Sequence, residues 1–134
     1  MIKEKDIRVT VADLRVVVDD RGTVFEPLDD VELSFQKNAH VVVTRPGVVR
    51  GNHRHRRTTE MIEVMGPALV RYRIGAAVED VTVPAGKVYR FTFPPGVPHA
   101  NQHTGETDGI LVAFTTETHD PDAPDTVADP LIPV

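Results

Sequence analysis

Apolar and polar residues alternate in short bursts along most of this chain, and nowhere do they recur with a sustained helical period. Arg8-Val9-Thr10-Val11 and the run from Leu14 to Val18 read as strands, ended by the turn signal Asp19-Asp20-Arg21-Gly22. His40 to Thr44 is a further strand, stopped by Arg45-Pro46-Gly47. Glu60 to Met65, Ala68 to Ile74, Val78 to Val83 and Val88 to Phe93 follow, divided by Gly66-Pro67, Gly75 and Pro84-Ala85-Gly86. Pro94-Pro95-Gly96 closes that series, and Ile110 to Thr115 is the last clear strand. Asp29 to Gln36 suits a helical turn or another strand equally. About eight to ten short strands, with turns every 8–12 residues or so, predict an all-β sandwich or barrel of two packed antiparallel sheets. From His119 onward Pro121, Pro124, Pro130 and Pro133 alternate with Asp120, Asp122, Asp125 and Asp129. Proline excludes a central strand there, so the tail is expected to wrap the barrel as an extended segment or to fray. No repeat divides the chain. It reads as one domain over residues 1–134, with N-terminal strands in 1–39, a barrel core in 40–118 and the tail in 119–134.

Composition narrows the picture. With 134 residues, 40% of them hydrophobic, the chain can bury a single core and is too apolar to stay disordered. The absence of Cys removes disulfides, Fe–S clusters, zinc-thiolate sites and cysteine nucleophiles together. No apolar run approaches the roughly 18–20 residues of a membrane span. The opening Met1-Ile2-Lys3-Glu4-Lys5-Asp6 is charged and leads into no apolar signal region, so a cytoplasmic protein is expected.

The net charge of −5 hides an asymmetry. Between His40 and Arg73 stand Arg45, Arg50, Arg54, Arg56, Arg57, Arg71 and Arg73 against only Glu60 and Glu63. Arginine's planar fork suits carboxylate and phosphate, which points to an anionic small-molecule site, although a solvated strand edge accounts for the same residues. Acidic surroundings and only two Tyr argue against nucleic acid.

His53 and His55 are two apart, so on a strand both face one side while Arg54 faces the other. Glu60 opens the next strand after a short connection and shares a face with Ile62 and Val64, which brings it beside the two histidines. His99 follows the stiff turn Pro94-Pro95-Gly96-Val97-Pro98. Three imidazoles and one carboxylate meeting at one point would hold a single divalent ion with positions left open for water or substrate. These ligands accept Zn, Fe, Mn, Ni or Co, with zinc the first choice. Arg50, Arg54 and Arg57 are the candidate contacts to an anionic substrate, and His103 is a candidate general base on the same rim as His99. Tyr89 is a candidate acid or gate residue, while Tyr72 shares a face with Val70 and Ile74 and reads as packing. His40 and His119 read as structural. Met61 and Met65 share with Glu63 the face opposite Glu60, as expected for packing between sheets or subunits.

Gly47-x5-His53-x-His55-x4-Glu60 resembles the first cupin motif, and Pro94-x-Gly96-x2-His99 resembles the core of the second. The resemblance implies a small cupin, jelly-roll-like β-barrel with His53, His55, Glu60 and His99 as metal ligands. Gly66 stands six residues after Glu60 where the family pattern has seven, implying a shortened hairpin. Val18 to Glu26 is similar to the opening of sugar-nucleotide cupins related to deoxysugar epimerases and isomerases. Arg50-Gly51-Asn52-His53-Arg54-His55, with the tail from His119 to Thr126, is similar to the C-terminal cupin of capsular polysaccharide-assembling proteins. What this implies is an epimerase or isomerase of a nucleotide-linked or otherwise anionic sugar in polysaccharide biosynthesis, with a partner enzyme for any reductive step. The same ligand set also suits an Fe(II)-dependent oxygenase, or a non-catalytic module using its metal to bind carbohydrate or carboxylate. Val-rich strands with open edges imply a homodimer.

Overall fold

The computed structural model describes Lys3 and residues 6–134. The expectation about the charged opening rests largely on Met1, Ile2, Glu4 and Lys5, which lie outside the described residues. In chain order the elements are β1 (Thr10–Asp13), β2 (Val17–Asp19), β3 (Gly22–Val24), α1 (Asp30–Ser34), β4 (Asn38–Thr44), β5 (Val49–His55) and β6 (Glu60–Met65). Then come β7 (Ala68–Ile74), β8 (Ala77–Val83), β9 (Val88–Phe93), β10 (His99–His103), β11 (Gly109–Thr115) and β12 (Thr126–Ala128). One five-stranded sheet runs β1-β9-β6-β11-β4, a second runs β12-β5-β10-β7-β8, and β2-β3 form a separate hairpin. Every pairing in the two large sheets is antiparallel.

The alternation read from sequence sets which side chains meet between the sheets. Phe91 pairs with Ile62, and Ile62 with Ala113. These join Phe93, Val64, Leu111, Val70 and Val83 in a buried core. Met61, Glu63 and Met65 take the outer face of β6, as the period of two requires. Gly66 and Pro67 alone connect β6 to β7, the shortened hairpin anticipated above. Only glycine fits there, since a Cβ on Gly66 would overlap the Pro84 carbonyl.

Asp29 to Gln36 resolves as helix for a local reason. The Asp29 carboxylate accepts the Glu32 N–H (2.7 Å) and the Glu32 carboxylate accepts the Asp29 N–H (3.1 Å), a reciprocal cap. The helix lies against the outer face of the first sheet, where Glu32 pairs with Arg90 at 2.9 Å and Gln36 reaches the Met61 sulfur. The first two strands fall later than the sequence suggests, at Thr10–Asp13 and Val17–Asp19. Leu14 N–H is instead committed to the Val88 carbonyl, prolonging the β1 edge.

The tail does not fray. β12 adds an edge strand to β5 at Thr126, Val127 and Ala128, a position between the prolines where no ladder N–H is missing. Beyond it Asn52 accepts the N–H groups of Leu131 (2.8 Å) and Ile132 (3.0 Å) and donates to the Ile132 carbonyl (2.9 Å). Arg54 and Arg73 both grip the Asp129 carboxylate.

Glu63 is buried completely beneath α1, and neither carboxylate oxygen has a hydrogen-bond partner. Burial pushes its carboxyl up to about 8, against the pull of nearby Arg90. The folded chain therefore holds a proton that the unfolded chain, with an ordinary value of 4.5, has released. This contribution to stability is complete below pH 4.5 and is lost as pH rises through about 8. Glu63→Gln is expected to flatten that fall and raise the urea midpoint above pH 8. An unchanged pH profile of urea unfolding would contradict the assignment.

Candidate metal centre

Two strands of the second sheet and one of the first supply the cluster. His53 and His55 project inward from β5, Glu60 from the start of β6 and His99 from the start of β10. Their ligand atoms all lie within 4.8 Å of one another. His99 and Glu60 are buried, and His53 and His55 are half-buried.

Each side chain is held from behind. The Phe93 ring stacks on His99 with centroids 4.2 Å apart and planes inclined by 1°. His99 Nδ1 lies 3.1 Å from the Val97 carbonyl, which can only accept, so Nδ1 carries the hydrogen. The turn between His55 and Glu60 is clamped by the tail. Asp125 accepts the N–H of Arg57 (2.8 Å) and of Thr58 (3.0 Å), while Arg56 N–H bonds the Asp125 carbonyl. Burial would raise the Asp125 carboxyl, but these hydrogen bonds outweigh it and hold the group below its ordinary value.

The donor set fits a cation. With Nδ1 committed to the Val97 carbonyl, Nε2 is the His99 nitrogen that faces the cluster, 3.0 Å from Glu60 Oε1. His55 Nε2 is buried without a hydrogen-bond partner, 3.6 Å from Glu60 Oε2. Burial alone would raise the Glu60 carboxyl, yet the His55 and His99 contacts hold it far below the usual range. Burial and the two neighbouring rings bring His53 down to about 4, leaving it neutral and ready to ligate at neutral pH. A divalent ion would satisfy the orphaned His55 nitrogen and the buried carboxylate together.

The cluster opens on two sides. A cavity of about 390 Å³ reaches the surface past His53, His55 and Glu60, roofed by residues 117–126 of the tail. A smaller one of about 110 Å³ runs along the inside of β4 and β5 past His53, Glu60 and His99. Arg50 lines this second cavity. Period-two counting from His53 and His55 puts Arg50 on their opposite face, but a bulge at Gly51 and Asn52 turns it inward. Both residues have positive φ (85° and 59°), and a Cβ on Gly51 would lie 2.8 Å from the His99 carbonyl oxygen. Arg50 donates to Thr44 Oγ1 and to the Val43 carbonyl, each at 3.2 Å.

Other candidates sit elsewhere. Arg54 faces outward onto Asp129, and Arg57 reaches the Asp125 carboxylate and the Ala123 carbonyl from an exposed position. His103 does not share the rim of His99. It ends β10, and four residues of strand carry it roughly 13 Å away. There it packs between Gly105 and Gly109, with Nε2 donating to the Thr107 carbonyl at 2.6 Å. Tyr89 faces Val64 and packs on the core, and Tyr72 does the same beside Phe93. His40 and His119, read as structural, both line the large cavity. For His40 the signal was present, since the alternation of His40, Val42 and Thr44 marks the inward face of β4.

A two-sheet antiparallel barrel with this His-x-His, Glu and His arrangement on its inner wall defines a cupin. The chain belongs to the polysaccharide biosynthesis C-terminal domain family, whose model matches residues 17–127. No curated protein sequence matches it. Among solved structures it is similar to the capsular polysaccharide assembling protein CapF of Staphylococcus aureus, at 28% identity and a TM-score of 0.66. That match covers 88% of this chain and 34% of CapF, so the chain spans about a third of CapF's length. The same fold occurs in a variant of the 3,4-ketoisomerase QdtA from Thermoanaerobacterium thermosaccharolyticum, in complex with TDP-4-keto-6-deoxyglucose (14% identity, TM-score 0.68, covering 90% of this chain and 87% of that one). It occurs again in ChmJ, a 3'-monoepimerase from Streptomyces bikiniensis in complex with dTDP-quinovose (18% identity, TM-score 0.72, covering 90% and 68%). Among the described residues no helix is long and apolar enough to cross a membrane.

Zinc at about 100 times its dissociation constant should raise the unfolding free energy by about 2.7 kcal/mol, and a chelator should reverse this. His99→Ala should abolish the response. A wild-type melting temperature indifferent to zinc would contradict the site.

Proposed function

We propose that the chain is a divalent-metal cupin that isomerises or epimerises a nucleotide-linked keto-sugar in polysaccharide biosynthesis. The observation that carries this reading is the convergence of His53, His55, Glu60 and His99 where an open cavity and a smaller inner one meet the cluster, with a buried imidazole nitrogen left unsatisfied. Family membership, the CapF likeness and the nucleotide sugars held by proteins of the same fold support the substrate class. The bound ion would supply Lewis-acid polarisation of a carbonyl. Zinc is the first choice among divalent ions.

The protein's own groups have separate tasks in this reading. Four side chains hold the ion, and Arg50 offers a guanidinium to the anionic part of the substrate from the inner cavity. A volume of about 390 Å³ lies within the usual range of small-molecule sites, roughly 300–1,000 Å³. Arg54 and Arg57, fastened to tail carboxylates, keep the roof in place.

Metal-loaded protein incubated in D₂O with TDP-4-keto-6-deoxyglucose should exchange deuterium into the sugar beside the carbonyl, read by mass spectrometry or NMR. Absence of exchange across a panel of nucleotide keto-sugars would remove this reading. Oxygen uptake by the Fe(II)-loaded protein would favour an oxygenase instead, and tight binding without turnover a carbohydrate- or carboxylate-binding module.

A homodimer is part of the proposal. Val41 and Val43 are 65% and 54% exposed on edge strand β4, and Val17, Val18 and Val24 are exposed on the β2–β3 hairpin. A two-fold contact would cover such an edge. Light scattering should give twice the 14.8 kDa chain mass, and the mass of a single chain would contradict the dimer.

A further inference from the structure

A proton transfer at carbon needs a group that is not itself a metal ligand, faces the reacting centre and can both take and give a proton. Apart from the four ligands, the ionisable side chains lining the two cavities are His40, Arg50, Glu117, His119, Asp120 and Asp125. Most are engaged elsewhere. Asp125 caps the Arg57 and Thr58 amides. Asp120 accepts the Asp122 N–H within the tail's own turn, and Glu117 pairs with Lys37 at 3.9 Å. Arginine stays protonated and serves as no base. Two imidazoles remain, and they differ in support. His119 belongs to the roof and lines the outer cavity alone, whereas His40 stands on β4 and lines both.

The register fixes where His40 stands. Across the inner face of the first sheet, Ile62, Ala113 and His40 form one row, and Glu60, Thr115 and Asn38 form the next. Two strand spacings separate β6 from β4, about 10 Å, enough to admit a sugar ring between the cluster and the imidazole. Ala113, the small side chain in that row, lines the inner cavity together with His40. Asn38 Nδ2 lies 3.3 Å from His40 Nδ1 and steadies the ring. Exposure to the cavity gives the imidazole access to solvent protons.

We propose that His40 is the catalytic acid–base of this site, carrying the proton between substrate carbon and enzyme. The inference rests on the isomerase or epimerase reading and deepens it. A ring nitrogen of His40 takes the proton from the carbon next to the carbonyl. The electron pair of that C–H bond becomes a C=C bond as the carbonyl π pair moves onto oxygen. A proton delivered to the same carbon from the other face by solvent in the open cavity, with the proton on His40 released to solvent, inverts it. Returning the proton on His40 to the former carbonyl carbon, while the neighbouring hydroxyl's proton passes to the former carbonyl oxygen, moves the carbonyl by one position. Either way the product has the atoms and oxidation level of the substrate, and no co-reactant is consumed.

The test compares zinc-loaded wild type, His40→Gln and His119→Gln in D₂O with TDP-4-keto-6-deoxyglucose. His40→Gln should keep full zinc content and bind the nucleotide sugar within about threefold of wild type, yet exchange deuterium at least about a hundredfold more slowly. His119→Gln should stay within about threefold of wild type. Exchange by His40→Gln at the wild-type rate would overturn the role of His40. A second readout separates this from failure of the parent reading. In ¹⁵N-histidine spectra of wild type, the His40 ring signals should move when the keto-sugar is added. If wild type binds but exchanges nothing, movement supports His40 as the group facing the ligand while the isomerase reading fails. Unmoved His40 signals in the bound protein overturn the inference itself.

Discussion

Glu60 is only 7% exposed, and its carboxylate lies against the imidazoles of His55 and His99. A buried carboxylate is costly unless positive charge accompanies it. Here one of the three rings is kept from supplying that charge. His53 is driven neutral by burial and by its neighbours, and His55 Nε2 lies buried with nothing to bond. One divalent ion would meet both needs at once, which makes the cluster a candidate metal site. The cavities, the clamped turn and the placement of Arg50 matter chemically because they surround that one point.

The tail is what keeps the point in place. Asp125 closes the turn between His55 and Glu60, and β12 covers the edge of β5 beside both histidines. Asn52, in a left-handed conformation next to His53, fastens the chain beyond β12 through its side-chain amide. Four arginines of the basic segment take part in this fastening. Arg54 and Arg73 hold Asp129, Arg57 meets Asp125, and Arg71 donates to the Leu131 carbonyl. Much of the charge asymmetry along the chain is therefore an internal complement between a basic barrel wall and an acidic tail. Arg50 is the one of the three candidate anion contacts that a backbone irregularity diverts into the cavity.

Three of the strands with partners on both sides were the most legible. β6, β7 and β9 run from residue to residue where alternation and Gly or Pro punctuation place them, because their inward period is enforced by the core. The His-x-His spacing and the inward face of Glu60 could be read for the same reason. α1 was legible in principle through Asp29 and Glu32, which form a reciprocal cap that the surrounding mixture of apolar and acidic residues obscured. Three things were not readable by alternation. The bulge at Gly51 and Asn52 reverses the face of Arg50, the tail's function depends on partners more than 50 residues away, and His103 takes its environment from glycines that fold back on it. Each is a tertiary effect that a local period does not encode.

Anomalous diffraction from crystals of the zinc-loaded protein, collected on both sides of the zinc absorption edge, tests the central claim most directly. The account requires one peak per chain, bonded to His53, His55, Glu60 and His99. A map with no peak among these four residues, or with the ion held by other side chains, would contradict it.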